Sequence, residues 1–283
     1  MKQGFITKVS FFTGPKHLED LINHIYLIGV TSFEEQDNAV ILYLKPEEAP
    51  EIINYIAVNF KSGNLDISVE HIKNRNWNEE WQKSIEPILI GNRLVVYPTW
   101  KKEEVKKYKD YIKIQIDPKM AFGTGHNETT QLVLELMLKY ISKKDKYLLD
   151  FGCGTGILAI AGVKMGIVKA IANDTDIDSI DNAIENFKLN RVSGKIKLYR
   201  NSISDLNESG FDVICANIIS SVIKENLDSM FEKLKINGKL FLSGILRKEE
   251  RSVMNALNNN GFIVSDVMRK AEWIGIYAVK DNN

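Results

Sequence analysis

The sequence predicts an α/β protein, a doubly wound and mostly parallel sheet preceded by a small α+β sandwich. Three observations carry this. From Thr129 onward, helical and extended apolar segments alternate. At 147–156 an apolar run ends in Gly152, Gly154 and Gly156, and a helical stretch over 157–165 follows at once, which reads as strand, tight turn and helix N-terminus. Residues 1–72 carry a separate βαββαβ pattern, the order of a ferredoxin-like sandwich.

In that first domain, 5–12 reads as a strand. Pro15 opens a helix through 28, with Leu18, Leu21, Ile22 and Ile25 at helical spacing. Strands at 30–35 and 39–44 are joined by a turn at Asp37-Asn38. Pro46 begins a helix to about 60, and 65–72 is the last strand. No cluster of catalytic residue types falls here, so binding a macromolecule is the expected role and a structural or dimerising role the alternative. Residues 73–118 are expected to be a connector with short strands at 88–90, 93–97 and 111–116. Its Trp77 and Trp81 lie four apart on an expected helical turn, which suits packing better than ligand contact.

The second domain, 119–283, opens with a helix over 129–141 and the strand of the glycine loop. Helices at 177–189, 221–234 and 248–259 alternate with strands at 169–173, 195–200, 211–216 and 239–243. Two final strands, 262–268 and 273–279, have no helix between them and imply an antiparallel edge hairpin. That is the seven-stranded methyltransferase variant of the doubly wound sheet.

Composition narrows the function classes. Lys+Arg of 37 against Asp+Glu of 37 gives no net charge, which argues mildly against a protein held to nucleic acid through phosphates. No apolar run is long enough for a membrane span and residues 1–12 do not resemble a secretory signal, so a cytoplasmic protein is expected. Cys153 and Cys215, without nearby His pairs, read as small buried residues, and no metal site is expected.

The glycine spacing selects the ligand. A dinucleotide fingerprint needs its third glycine further along, where this chain has Ile157, and no Gly-Lys-Ser/Thr follows to make a P-loop. A Gly-x-Gly-x-Gly loop with backbone N–H groups aimed at a carboxylate suits S-adenosylmethionine. Asp174, at the end of the next strand and 18 residues past Gly156, is placed to accept the ribose hydroxyls; capping the next helix is its other reading, open equally to Asp176 and Asp178. Asn217, ending the fourth strand, carries an amide suited to orienting an amine nucleophile, with a plain turn residue as the alternative. For a lysine acceptor, proton release at pH 7 costs roughly 3.4 pK units, about 4.6 kcal/mol, which carbonyl acceptors and a pocket of low dielectric can offset. Alignment and desolvation then do most of what remains. Glu128 opening the first helix suits the helix dipole. Thr129 and Thr130 read first as helix caps and second as cofactor contacts, and His126 as a residue lining the site.

An ordered set of outer motifs is more specific than the glycine loop. Asn76-Trp77…Trp81, Gly91-Asn-Arg-Leu…Pro98-Thr-Trp100, Asp117-Pro118 and Ala121-Phe-Gly-Thr-Gly125 precede it, and Cys215-Ala-Asn-Ile218 and Leu242-Ser-Gly-Ile-Leu246 follow it. Together they resemble the PrmA family of bacterial ribosomal-protein methyltransferases, over about residues 75–280. The resemblance implies methyl transfer from S-adenosylmethionine to lysine ε-amino and N-terminal α-amino groups of the eleventh large-subunit protein. It implies a recognition role for residues 1–72 and a connector that lets them swing. It also places Thr129, Gly152, Asp174 and Asn217 against the cofactor, with Gly154 and Gly156 in the same loop. Many members read Thr-His-Pro-Thr-Thr where this chain has Gly125-His-Asn-Glu-Thr-Thr130, so no catalytic role passes to His126. Two other readings are an RNA or DNA N-methyltransferase and a non-catalytic assembly factor with the same fold. Against the first, Asn217 is followed by Ile218-Ile219, with no aromatic platform for a flipped base.

Overall fold

The computed structural model describes residues 5–28, 30, 33–73, 85–117, 123 and 125–281. The expected turn bearing Trp77 and Trp81 lies outside them, as do Ala121, Phe122 and Thr124. The chain divides into two compact units, 1–84 and 85–283.

In the first unit, β1 (Phe5–Phe12), β2 (Glu34–Gln36), β3 (Ala39–Leu44) and β4 (Asp66–Lys73) form an antiparallel sheet in the order β2-β3-β1-β4. Period-2 alternation sends Val9 and Phe11 of β1 and Val40 and Leu42 of β3 into one core. Leu21 and Ile25 of α1 (Leu18–Leu27) and Ile56 of α2 (Ala49–Asn59) close that core from the helical side. This is the expected ferredoxin-like arrangement. Pro15 opens a short 3-10 turn rather than α1 itself, and α2 starts at Ala49-Pro50, three residues later than expected.

In the second unit, β5 (Ile88–Ile90) pairs antiparallel with β6 (Leu94–Tyr97), which pairs parallel with β7 (Ile112–Gln115). The strands expected in a connector thus form a sheet of their own, and Ile90, Leu94, Val96 and Ile114 are buried in the main core of this unit. The large sheet has seven strands in the order β10-β9-β8-β11-β12-β14-β13. They are β8 (Tyr147–Phe151), β9 (Lys169–Asp174), β10 (Ile196–Arg200), β11 (Phe211–Asn217), β12 (Leu234–Leu246), β13 (Phe262–Lys270) and β14 (Trp273–Lys280). Strands β8 to β12 run parallel, while β14 is antiparallel to both β12 and β13.

The chain leaves β8 in one direction toward β9 and β10 and later returns to lay β11 on its other side, so β8 and β11 flank the switch point. One face is covered by α3 (Glu128–Tyr140), α4 (Ile157–Met165) and α5 (Ile177–Leu189), the other by α6 (Ser220–Glu225), α7 (Leu227–Lys233) and α8 (Glu250–Asn259). The single helix expected over 221–234 is two, because Asn226 interrupts it and turns its amide back onto the Val222 carbonyl at 2.8 Å. Strand β12 extends well beyond 239–243, through Lys235-Ile-Asn-Gly238, which reads as a turn; Asn237 sits there at φ +60°. Among the described residues, no helix is long and apolar enough to cross a membrane.

Candidate functional site

A cavity of about 740 Å³ opens at the carboxyl ends of β8, β9, β10 and β11. Open α/β sheets bind ligands at this position, and the volume suits a ligand of nucleoside size. Its wall includes Gly152 and Gly154 of the glycine loop, Thr129 of α3, Asp174 ending β9, Asn201 after β10, and Asn217 ending β11.

The loop between β8 and α4 holds Gly152, Gly154 and Gly156 at φ +68°, +51° and +74°, a region costly for residues with a Cβ. A Cβ on Gly152 would also stand 2.5 Å from Ile218, and one on Gly156 would run into the Phe187 ring. The loop's N–H groups are not aimed outward as the spacing suggests. Gly152 and Cys153 donate to the Asn173 carbonyl at 2.9 and 3.0 Å, Gly156 to Cys153 at 2.8 Å, and Gly154 to Asp174 Oδ2 at 2.9 Å. Gly152 and Gly154 give the cavity a backbone surface without side chains, Gly156 falls outside its wall against the Phe187 ring, and the loop's donors hold its own shape.

The remaining polar groups supply what the loop does not. Thr129 Oγ1, Asn173 Oδ1, Asn201 Oδ1 and Asn217 Oδ1 belong to residues of the cavity wall, are buried, and have no hydrogen-bond partner. Orphaned buried polar atoms are rare in folded proteins, and four of them belong to residues of this one wall, as expected where a ligand completes the hydrogen bonding. Asp174 adds a carboxylate whose oxygens accept one backbone N–H each, from Gly154 and, at 3.1 Å, from Asp176, leaving further acceptor capacity on both. It does not cap α5: that is done by Asp176, which accepts from Asp178 N at 3.2 Å. A nucleoside with vicinal hydroxyls, a base edge and an amino-acid tail fits this donor and acceptor set.

Several expectations change. Asn127 stands at the N-cap of α3, and neither threonine beside it caps the helix. Thr129 Oγ1 is the orphan already described, and Thr130 Oγ1 accepts from Asn217 Nδ2 at 3.1 Å. His126 is exposed and outside the cavity wall. Glu128 lies on that wall as well as opening α3. Cys153 and Cys215 are buried free thiols, both pushed well up by burial, so neither is a nucleophile at neutral pH.

Asp150 was not singled out by sequence. It is fully buried in β8, its Oδ2 accepts from Ala159 N in the first turn of α4 at 2.9 Å, and its Oδ1 is unpartnered. Burial pushes its carboxyl up to about 8, and the Asp174 charge adds to that against the Ala159 hydrogen bond. A carboxylate inside the apolar run Tyr147-Leu-Leu-Asp-Phe151 was the available signal. Asn173 and Asn201 had a weaker one, a polar residue closing an apolar strand. Among the described residues no group of His, Cys, Asp and Glu could hold a metal ion.

The family model of the ribosomal protein L11 methyltransferases (PrmA) matches residues 16–281. The ribosomal protein L11 methyltransferase of Bacillus pumilus is 30% identical over 274 residues, covering 94% of this chain and 88% of that protein. That of Brevibacillus brevis is 33% identical over 253 residues, covering 89% and 80%. The crystal structure of a ribosomal protein L11 methylase from Lactobacillus delbrueckii subsp. bulgaricus superposes with a TM-score of 0.65 at 30% identity, over 70% of this chain and all of that one. With the seven-stranded sheet and its cavity, these matches show that the chain belongs to the ribosomal protein L11 methyltransferase (PrmA) family, a family of S-adenosylmethionine-dependent methyltransferases.

Proposed function

We propose that this protein methylates lysine ε-amino groups and the N-terminal α-amino group of ribosomal protein L11. The observation that carries the site is that four residues with an unpartnered polar atom, together with Asp174, share the wall of one cavity at the switch point.

In this reading Asp174 accepts the ribose hydroxyls and Asn201 meets the base edge. Gly152 and Gly154 let the cofactor lie against bare backbone, and Thr129 and Asn217 bracket its methionine end. Gly156 keeps the loop in place from below. When bound, S-adenosylmethionine supplies a methyl group already activated by its sulfonium. The protein's part is to desolvate the acceptor amine, favour its neutral form and align its lone pair. We assign this part to Asn217, a reading supported by its Oδ1 having no partner within the protein.

Residues 1–72 would recognise the protein substrate and 119–283 carry out the transfer, with 73–118 between them. No contact with nucleic acid is required, and the cytoplasm is where such a substrate is made. Incubating the chain with methyl-labelled S-adenosylmethionine and unmethylated ribosomal components, then locating label by intact mass, tests the reading. Mass steps of one methyl on L11 are expected. Label in ribosomal RNA, or none at all, would overturn it.

A further inference from the structure

Thr130 was expected to cap α3, yet it is fully buried and its hydroxyl oxygen accepts from Asn217 Nδ2 at 3.1 Å, across 87 residues of sequence. An asparagine amide has two nearly isosteric ends with opposite hydrogen-bonding character, so what fixes its rotation decides what it offers a ligand. Here the donor end is tied to α3. The acceptor end, Oδ1, is buried and unpartnered on a residue of the cavity wall.

We infer that Thr130 is a positioning residue that holds the Asn217 amide with its carbonyl oxygen toward the acceptor nitrogen, and that this contact serves the first and second methyl additions but not a third. This rests on the proposed transfer to an amine. In each addition the nitrogen lone pair forms the N–C bond and the C–S bond breaks with its electron pair going to sulfur. The positive charge passes from sulfur to nitrogen, which then releases a proton to solvent if it still bears one. Before attack a neutral primary amine carries two N–H bonds, a secondary amine one and a tertiary amine none. A fixed carbonyl oxygen therefore has a hydrogen to accept from the first two acceptors and nothing to hold on a dimethylated one.

The consequence is a selectivity that mere support of the fold would not produce. Thr130→Val keeps the side chain's shape and removes its hydroxyl, while Thr130→Ser keeps the hydroxyl. Rates would be followed by intact mass on unmodified L11 and on L11 whose amines have been dimethylated by reductive methylation. S-adenosylhomocysteine binding would be measured by calorimetry and thermal unfolding in parallel. Thr130→Val is expected to lower kcat roughly tenfold to a hundredfold on unmodified L11, less than removal of a preorganised group itself because the Asn217 amide stays in place. Its rate on dimethylated L11 should stay within about threefold of wild type, and Thr130→Ser should restore most of the loss. S-adenosylhomocysteine affinity should stay within about threefold.

An equal loss on both substrates, a valine variant as active as wild type, or a serine variant no better than valine would each overturn the inference. If wild type leaves dimethylated L11 unmodified, the valine and serine rates on unmodified L11 decide alone. Asn217→Ala separates this failure from that of the parent reading: full activity in that variant would remove the proposed role of Asn217 itself.

Discussion

The glycine loop and the strand-end amides line the same cavity but use their hydrogen-bonding capacity in opposite ways. In the loop, the N–H groups of Gly152, Cys153, Gly154 and Gly156 are all taken by neighbouring chain. At the ends of β9 and β11 and just past β10, Asn173, Asn217 and Asn201 are each left with an unpartnered carbonyl oxygen. The loop's donors are satisfied within the fold, whereas the amides keep unsatisfied acceptors, which in the proposed reading contribute recognition. In the proposed reading the glycine loop is therefore scaffolding for the cofactor, and the discriminating chemistry belongs to the polar residues at the strand ends.

Substitutions on the two sides should fail differently. The largest expected effect is on the amide side. Asn217→Ala should lower kcat by about 10²- to 10³-fold, the range for loss of one preorganised group, with little change in melting temperature. An equally large loss of stability would erase the contrast. On the loop side, Gly156→Ala should act on the fold. A positive φ costs about 1 kcal/mol or more, and overpacking against Phe187 roughly 1–3 kcal/mol, so chemical denaturation should show a loss of about 2–4 kcal/mol.

Asp150, in β8 just before the loop, acts on stability through its proton. Its carboxyl is held near 8 in the folded chain, far above the range of an unfolded aspartate, so the folded state binds the proton more tightly. Its contribution to stability is fully present below about pH 4 and is lost as pH rises toward 8, at up to about 1.4 kcal/mol per pH unit. Asp150→Asn should remove this slope, and denaturation curves from pH 5 to 8 would show the variant gaining on wild type. Parallel curves would mean that Asp150 stays ionised. Asp176→Ala, which removes the α5 cap and the bond that the Ser179 hydroxyl donates to the same carboxylate, should cost about 1 kcal/mol and change cofactor affinity far less than Asp174→Ala.

Much of the fold was legible because apolar period and punctuation agree. Helices α4 and α5 and strand β5 begin and end where the pattern places them. Agreement broke where a polar side chain competed with the backbone, as at Asn226, or where a turn-like Asn237-Gly238 was carried inside a strand. In the site, Gly152, Asp174 and Asn217 were legible because glycines and strand-end polar residues stand out against apolar runs. Asp150 was hidden by sitting inside such a run. Thr130 was hidden because its partner is 87 residues away, a pairing that no local spacing reveals.

The most direct measurement is calorimetric titration of S-adenosylhomocysteine into wild type and Asp174→Ala. Cofactor affinity is expected to reside in side chains with capacity left over, so the variant should bind about ten- to a hundredfold more weakly, about 1.4–2.7 kcal/mol. Equal affinity would contradict it, and would place cofactor recognition in the glycine loop after all.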